Sequence, residues 1–114
     1  YQGNGQHGNN SFVDCGFEPA VVFFKAHTRT DNWGVFDNKR VDSNPPNPLR
    51  RFLYPDANYA EWTGGTNDHM DFYSTGFKVQ NLGSMIGGSN EQYVYMAFAS
   101  KPGDSVYDVV TDAN

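Results

Sequence analysis

Ala20-Val21-Val22-Phe23-Phe24-Lys25-Ala26 is the strongest apolar run in the first half of the chain, and Tyr93-Val94-Tyr95-Met96-Ala97-Phe98-Ala99-Ser100 answers it near the end. β-Branched and aromatic side chains dominate both, and these suit a pleated, half-buried surface. Turn formers bound them, Glu18-Pro19 ahead of the first and Pro102-Gly103 behind the second. The unbroken apolar character of Ala20–Ala26 predicts a central strand buried on both faces. Neither run approaches the length of a membrane span.

The rest of the chain shares this bias. Aromatics make up 16% of the 114 residues, whereas Glu occurs 3 times and Lys and Arg 4 times each. A helix-rich domain would lean on Leu, Ala, Glu and Lys instead. With 12 Gly, 12 Asn and 6 Pro, many turns are required. The length fits one domain over residues 1–114, with loop-like ends at 1–10 and 104–114.

Ser11–Asp14 predicts a short strand stopped at Cys15-Gly16, and Asn32–Asp37 pairs with Ala20–Ala26 through a Thr28–Asp31 connection. Arg50–Tyr54 is expected as an edge strand. Met70–Tyr73 and Gly76–Gln80 read as a hairpin around Ser74-Thr75-Gly76. Val41–Pro48 must be an extended surface loop, because its three prolines remove ladder donors. Pro55–Asp68, with Gly64-Gly65 at its tip, and Asn81–Gln92 are further polar loops. Five to seven short strands between turn clusters predict an all-β fold, an antiparallel two-sheet β-sandwich or jelly roll with long polar loops.

The formal net charge of -5 argues against nucleic acid and anionic membranes as partners. No basic stretch leads into an apolar run, so no signal peptide is expected. The start at Tyr1 without Met is expected to reflect processing or excision from a longer chain. The single Cys15 cannot form an internal bridge and is expected to be a buried, reduced thiol.

His7, His27 and His69 form no His-x-His or His-x-x-x-His pair, so no transition-metal site is expected. Asp31, Asp37, Asp42, Asp56, Asp68 and Asp71 lie in or beside loops without the acidic ladder of an EF-hand, and turn capping is their preferred reading. Glycoside hydrolysis needs two convergent carboxylates, and Glu18, beside Pro19, is better placed to serve a turn. No Gly-x-Ser-x-Gly elbow or phosphate-cradling loop is present. No catalytic residue, metal or cofactor is assigned.

The tryptophans divide. Trp33 lies on the same side of its strand as Val35 and is expected in the core, where truncation costs about 3–5 kcal/mol. Trp62 sits in the polar stretch Asn58-Tyr59-Ala60-Glu61-Trp62-Thr63-Gly64-Gly65. A loop aromatic there can stack on a sugar, anchor a subunit contact or pack within the loop, and all three readings stay open. Asn58, Tyr59, Trp62, Asn67 and Asp68 form the candidate carbohydrate- or partner-binding set. The 18 aromatics (9 Phe, 7 Tyr and 2 Trp) exceed what one thin sandwich hides, so self-association is expected.

The strong segments also form an ordered series. Tyr1-x-Gly-Asn-Gly5, Gly16-Phe17-x-Pro19 and Val22-Phe23-Phe24-Lys25 open it, and Trp33-x-Val35-Phe36-Asp37-x-Lys39-Arg40 follows. Leu53-Tyr54-Pro55 with Ala60-Glu61, and then Asp71-Phe72-x-Ser74-x-Gly76-Phe77-Lys78-Val79, continue the series. Asn90 and the Tyr93–Ala99 run with Pro102 close it. This series resembles a concanavalin-like β-sandwich domain found in tail-fibre and other virion proteins of tailed bacteriophages. The resemblance implies a two-sheet sandwich with Ala20–Lys25 and Tyr93–Ala99 as facing central strands. It implies a non-enzymatic structural or receptor-facing role at the virion surface, with copies of itself and other virion proteins as partners. The alternative is a lectin-type module for a host surface glycan. Trp62 and Gly64-Gly65 stand outside the shared pattern.

Overall fold

The computed structural model describes residues 1–6, 10–40, 47–63, 69–80, 83 and 85–100. Among these the chain is all-β, with no helix. Its strands are β1 (Phe12–Asp14), β2 (Pro19–Ala26), β3 (Gly34–Asp37), β4 (Arg51–Leu53), β5 (Trp62–Thr63), β6 (Met70–Tyr73), β7 (Gly76–Val79) and β8 (Tyr93–Ala99). They form two antiparallel sheets, a smaller one ordered β1-β7-β6 and a larger one ordered β5-β4-β3-β2-β8.

Alternation explains how the sheets meet. Val22, Phe24 and Ala26 on β2 are buried while Val21, Phe23 and Lys25 between them are only half-buried. Val22 and Phe24, with Phe36 and Phe52, join Val13, Met70, Phe72, Phe77 and Val79 of the smaller sheet, and Leu49 and Ile86, in one buried cluster. Phe24, Phe36 and Phe77, each 1% exposed or less, each contribute roughly 1.5–3 kcal/mol of burial.

Local devices hold this arrangement. The Met70–Tyr73 hairpin closes with Tyr73 opposite Gly76, as the sequence indicates. Gly34 faces Phe24 in register, and a side chain there would strike the Phe24 ring. The Asn47 amide donates to the Phe72 carbonyl at 2.6 Å and accepts from its N–H at 2.8 Å, so a side chain stands in for a strand beside β6. The opening segment is fastened down. The Tyr1 ring stacks on Tyr93 at 4.8 Å, and its hydroxyl donates to the Ile86 carbonyl at 2.8 Å.

Several expectations are corrected. β2 has strand neighbours on both sides but buries one face, because the smaller sheet covers only its inner side. β8 does not face β2 across the core; it pairs with it edge to edge, at the rim of the larger sheet. β4 is no edge strand, since β5 pairs beyond it. Residues 41–46 of the proline-rich loop, the Gly64-Gly65 tip and the acidic tail lie outside the described residues.

Candidate functional site

The register of the larger sheet sorts its side chains into two rows. Ala97, Val22, Phe36, Phe52 and Trp62 are successive cross-strand partners and line the inner face. Met96, Phe23, Val35 and Leu53 form the corresponding row on the outer face. Directly paired residues share a face, so these rows follow from pairing alone.

Around this row the outer face is apolar and largely uncovered, while Lys25, opposite Val94, and Asp37 and Arg51, toward β5, put charges on the same face. Leu53, Val94, Met96 and Phe98 are 38%, 44%, 49% and 54% exposed, and Phe98 lies edge-on to Phe23 at 6.1 Å. Trp33 belongs here and not to the core. It precedes β3 with the parity of Val35, opposite to buried Gly34 and Phe36. With Phe23, Pro55, Asp56 and Met96 it lines a shallow groove of about 260 Å³. The Asp56 carboxylate accepts the Trp33 backbone N–H at 3.1 Å, which fixes the groove's wall. Sequence reasoning missed this face. The available signal was that β8 carries apolar residues at even and odd positions alike, in a chain too small to cover both sides.

Trp62 is also relocated. It lies in β5 opposite Phe52, not in a loop, and it faces inward beyond the reach of the narrower sheet, where it is 43% exposed. Its ring stands 6.2 Å from Phe52. Phe52 contacts Tyr54 at 5.2 Å, and Tyr54 contacts Tyr59 edge-on at 5.2 Å. This aromatic ledge runs from the core to the exposed ring of Tyr59, 60% accessible, beside exposed Asn58. The structure therefore places Asn58, Tyr59 and Trp62 at one end of the larger sheet. Asn67 and Asp68 lie outside the described residues.

Behind the ledge, on the outer face, charges are compensated in pairs. Arg40 pairs with Asp37 at 2.9 Å and with Glu61, which Arg51 also engages at 3.1 Å. Burial pushes the Asp37 carboxyl upward, but the hydrogen bonds and charge of Arg40 outweigh it and hold the group below its usual range. Glu61 is thus an ion-pair hub that ties the segment before β5 to β4 and to Arg40. Among the described residues, no three His, Cys, Asp or Glu side chains converge where they could hold a metal ion. Cys15 is half-buried instead of fully buried, because it sits past the end of β1, where its N–H and that of Gly16 both donate to Thr75. Desolvation still raises its thiol pKa, against opposing hydrogen bonds from the backbone at Phe17 and Cys15 itself.

Among the described residues, the fold and its surfaces define an all-β unit of two antiparallel sheets with a shared core and an exposed apolar patch on the outer face of the larger sheet. Residues 1–102 match the family described as Domain of unknown function (DUF7483), and the chain belongs to that family. No curated protein and no solved structure matches the chain.

Proposed function

We propose that this chain is a non-enzymatic structural module of a virion appendage, a concanavalin-like β-sandwich that works in repeated copies of itself. The observation that carries the reading is the outer face of the larger sheet. Val94, Met96 and Phe98 on β8, with Leu53 on β4, remain more than a third exposed around Phe23 and Trp33. Contiguous apolar surface of this kind marks a contact between proteins, not a solvated wall. The phage-like order of segments from Tyr1 to Pro102 supplies the setting, and the site of action is the virion surface. Peptide mass spectrometry of purified particles tests the assignment. The chain should be recovered from the particles in many copies. Recovery from infected-cell lysate alone, with particles free of it, overturns the reading.

A second reading rests on the aromatic ledge. Tyr59 and Trp62 present exposed rings beside Asn58, a set suited to stacking on a sugar and hydrogen-bonding its hydroxyls. A glycan array probed with the wild type and with Trp62→Ala decides it. Binding that is lost in the variant supports a lectin-type role toward host glycans, and an empty array removes it.

A further inference from the structure

β8 differs from the other sheet edges described. β5, across the larger sheet, has 2 residues; β1 has 3 and ends in Asp14; β6 carries Asp71 and is partly covered by Asn47 and Leu49. β8 has 7 residues, Tyr93–Ala99, with neither a charge nor a proline. Folded proteins ordinarily blunt such edges, because unpaired N–H and C=O groups are a template for another strand.

The hydrogen bonds at its two ends show which way the backbone of β8 points. Tyr93 donates to the Tyr1 carbonyl at 2.7 Å, and the Tyr1 amino group donates to the Tyr93 carbonyl at 2.9 Å. On the opposite side, the Gln92 carbonyl accepts from His27 at 2.9 Å and Ser100 donates to Glu18 at 2.8 Å, next to β2. Alternation therefore turns the N–H and C=O of Tyr95, Ala97 and Ala99 outward and those of Val94, Met96 and Phe98 toward β2. Tyr1 to Gly3 pairs along the outward side only as far as Tyr93. No described strand continues that pairing.

We infer that this open edge pairs with β8 of a second copy, antiparallel across a two-fold axis at Ala97. The axis sets Ala97 against its symmetry mate, Tyr95 against Ala99, and Met96 against Phe98. Large residues meet small ones on the inner side and a thioether meets an aromatic ring on the outer side. An axis at Met96 would bring Ala99 of the second copy opposite Tyr93, where Tyr1 already stands. An axis nearer Ser100 would drop Tyr95 from the ladder. The inference rests on the assembly reading above and gives it a geometry. The two larger sheets become one, and both apolar outer faces lie on the same side. A ladder of three outward-facing residues from each copy is short, so the pairing is weak, of micromolar affinity or weaker. Weak pairing suits a module present in many copies.

Amide hydrogen exchange at low and high protein concentration, with sedimentation velocity alongside, tests this. The amides of Tyr95, Ala97 and Ala99 should gain protection as concentration rises, while those of Val94, Met96 and Phe98 are protected throughout. Ala97→Pro removes one outward N–H and is compatible with an edge strand; it should weaken dimerisation by about tenfold or more. Should that variant fail to fold, the exchange pattern of the wild type decides alone. Outward amides that stay unprotected at high concentration overturn the inference. So does protection independent of concentration, which assigns the edge to the chain's own residues 101–114. Leu53→Lys combined with Val94→Glu charges the outer face and spares the ladder. If that variant alone loses all association, edge pairing is overturned and the face reading stands. A wild type that is monomeric at every concentration overturns both.

Discussion

Gly34 lies directly against the Phe24 ring in the core, and Gly34→Ala perturbs that contact with the least chemical change. A Cβ at position 34 would lie against the far edge of the Phe24 ring, with Cε1 and Cε2 both 2.8 Å away. The ring has no room to retreat. It is fully buried, stacked on Phe36 at 5.8 Å and met edge-on by Phe52 at 6.1 Å. Overpacking a confined site costs about 1–3 kcal/mol, and this geometry points to the upper end. Where space allows, replacing a glycine by alanine stabilises by about 0.4–1 kcal/mol, so the sign of the effect is diagnostic. Phe24→Ala should cost about 3–5 kcal/mol through the cavity it leaves. In the double variant the new methyl enters that cavity, and the total loss should fall below the sum of the single losses by roughly 2–3 kcal/mol. Urea unfolding followed by tryptophan fluorescence, compared at a common m-value, measures all three. A stabilising Gly34→Ala, or additivity within about 0.5 kcal/mol, would refute the described contact.

Trp33→Ala should cost about 1–2 kcal/mol, short of the loss expected of a core residue, because Trp33 is half-buried on the outer face. Chemical denaturation checks this. Trp62→Ala should leave the unfolding midpoint nearly unchanged. If the ledge holds a sugar, the same change weakens glycan binding by about 2 kcal/mol, roughly 30-fold, in calorimetry. Asp37 titrates below its unfolded value of about 3.9, so the stability from its pairing with Arg40 is fully present above about pH 5 and is lost as pH falls through the folded value. Arg40→Ala should flatten that part of the acid unfolding curve. Cys15, with its thiol pKa raised by burial, should react slowly with a disulfide reagent near pH 8 and faster as pH rises further.

Strand positions were legible because they depend on local chemistry. The β-branched and aromatic run of β8, the Ser74-Thr75 turn and the Gly16 stop each state their own conformation. Which strand lies beside which was less legible. β4 resembled an edge because its partner β5 is only Trp62–Thr63, too short to leave a periodic signal. The place of Trp33 is hidden for a related reason: it shares the parity of Val35, but parity alone does not say which face is covered. The outer-face row of Met96, Phe23, Val35 and Leu53 exists only through register across β8, β2, β3 and β4. The fastening of Tyr1 under Tyr93 likewise needs residues 92 positions apart to meet.

Sedimentation velocity across a concentration series tests directly whether the apolar patch of the outer face is an assembly surface. The wild type should form species larger than a dimer as concentration rises. Leu53→Lys with Val94→Glu should lose every species above the dimer while keeping the wild-type urea midpoint, since both positions are exposed. Identical sedimentation profiles for the two proteins at every concentration would contradict it.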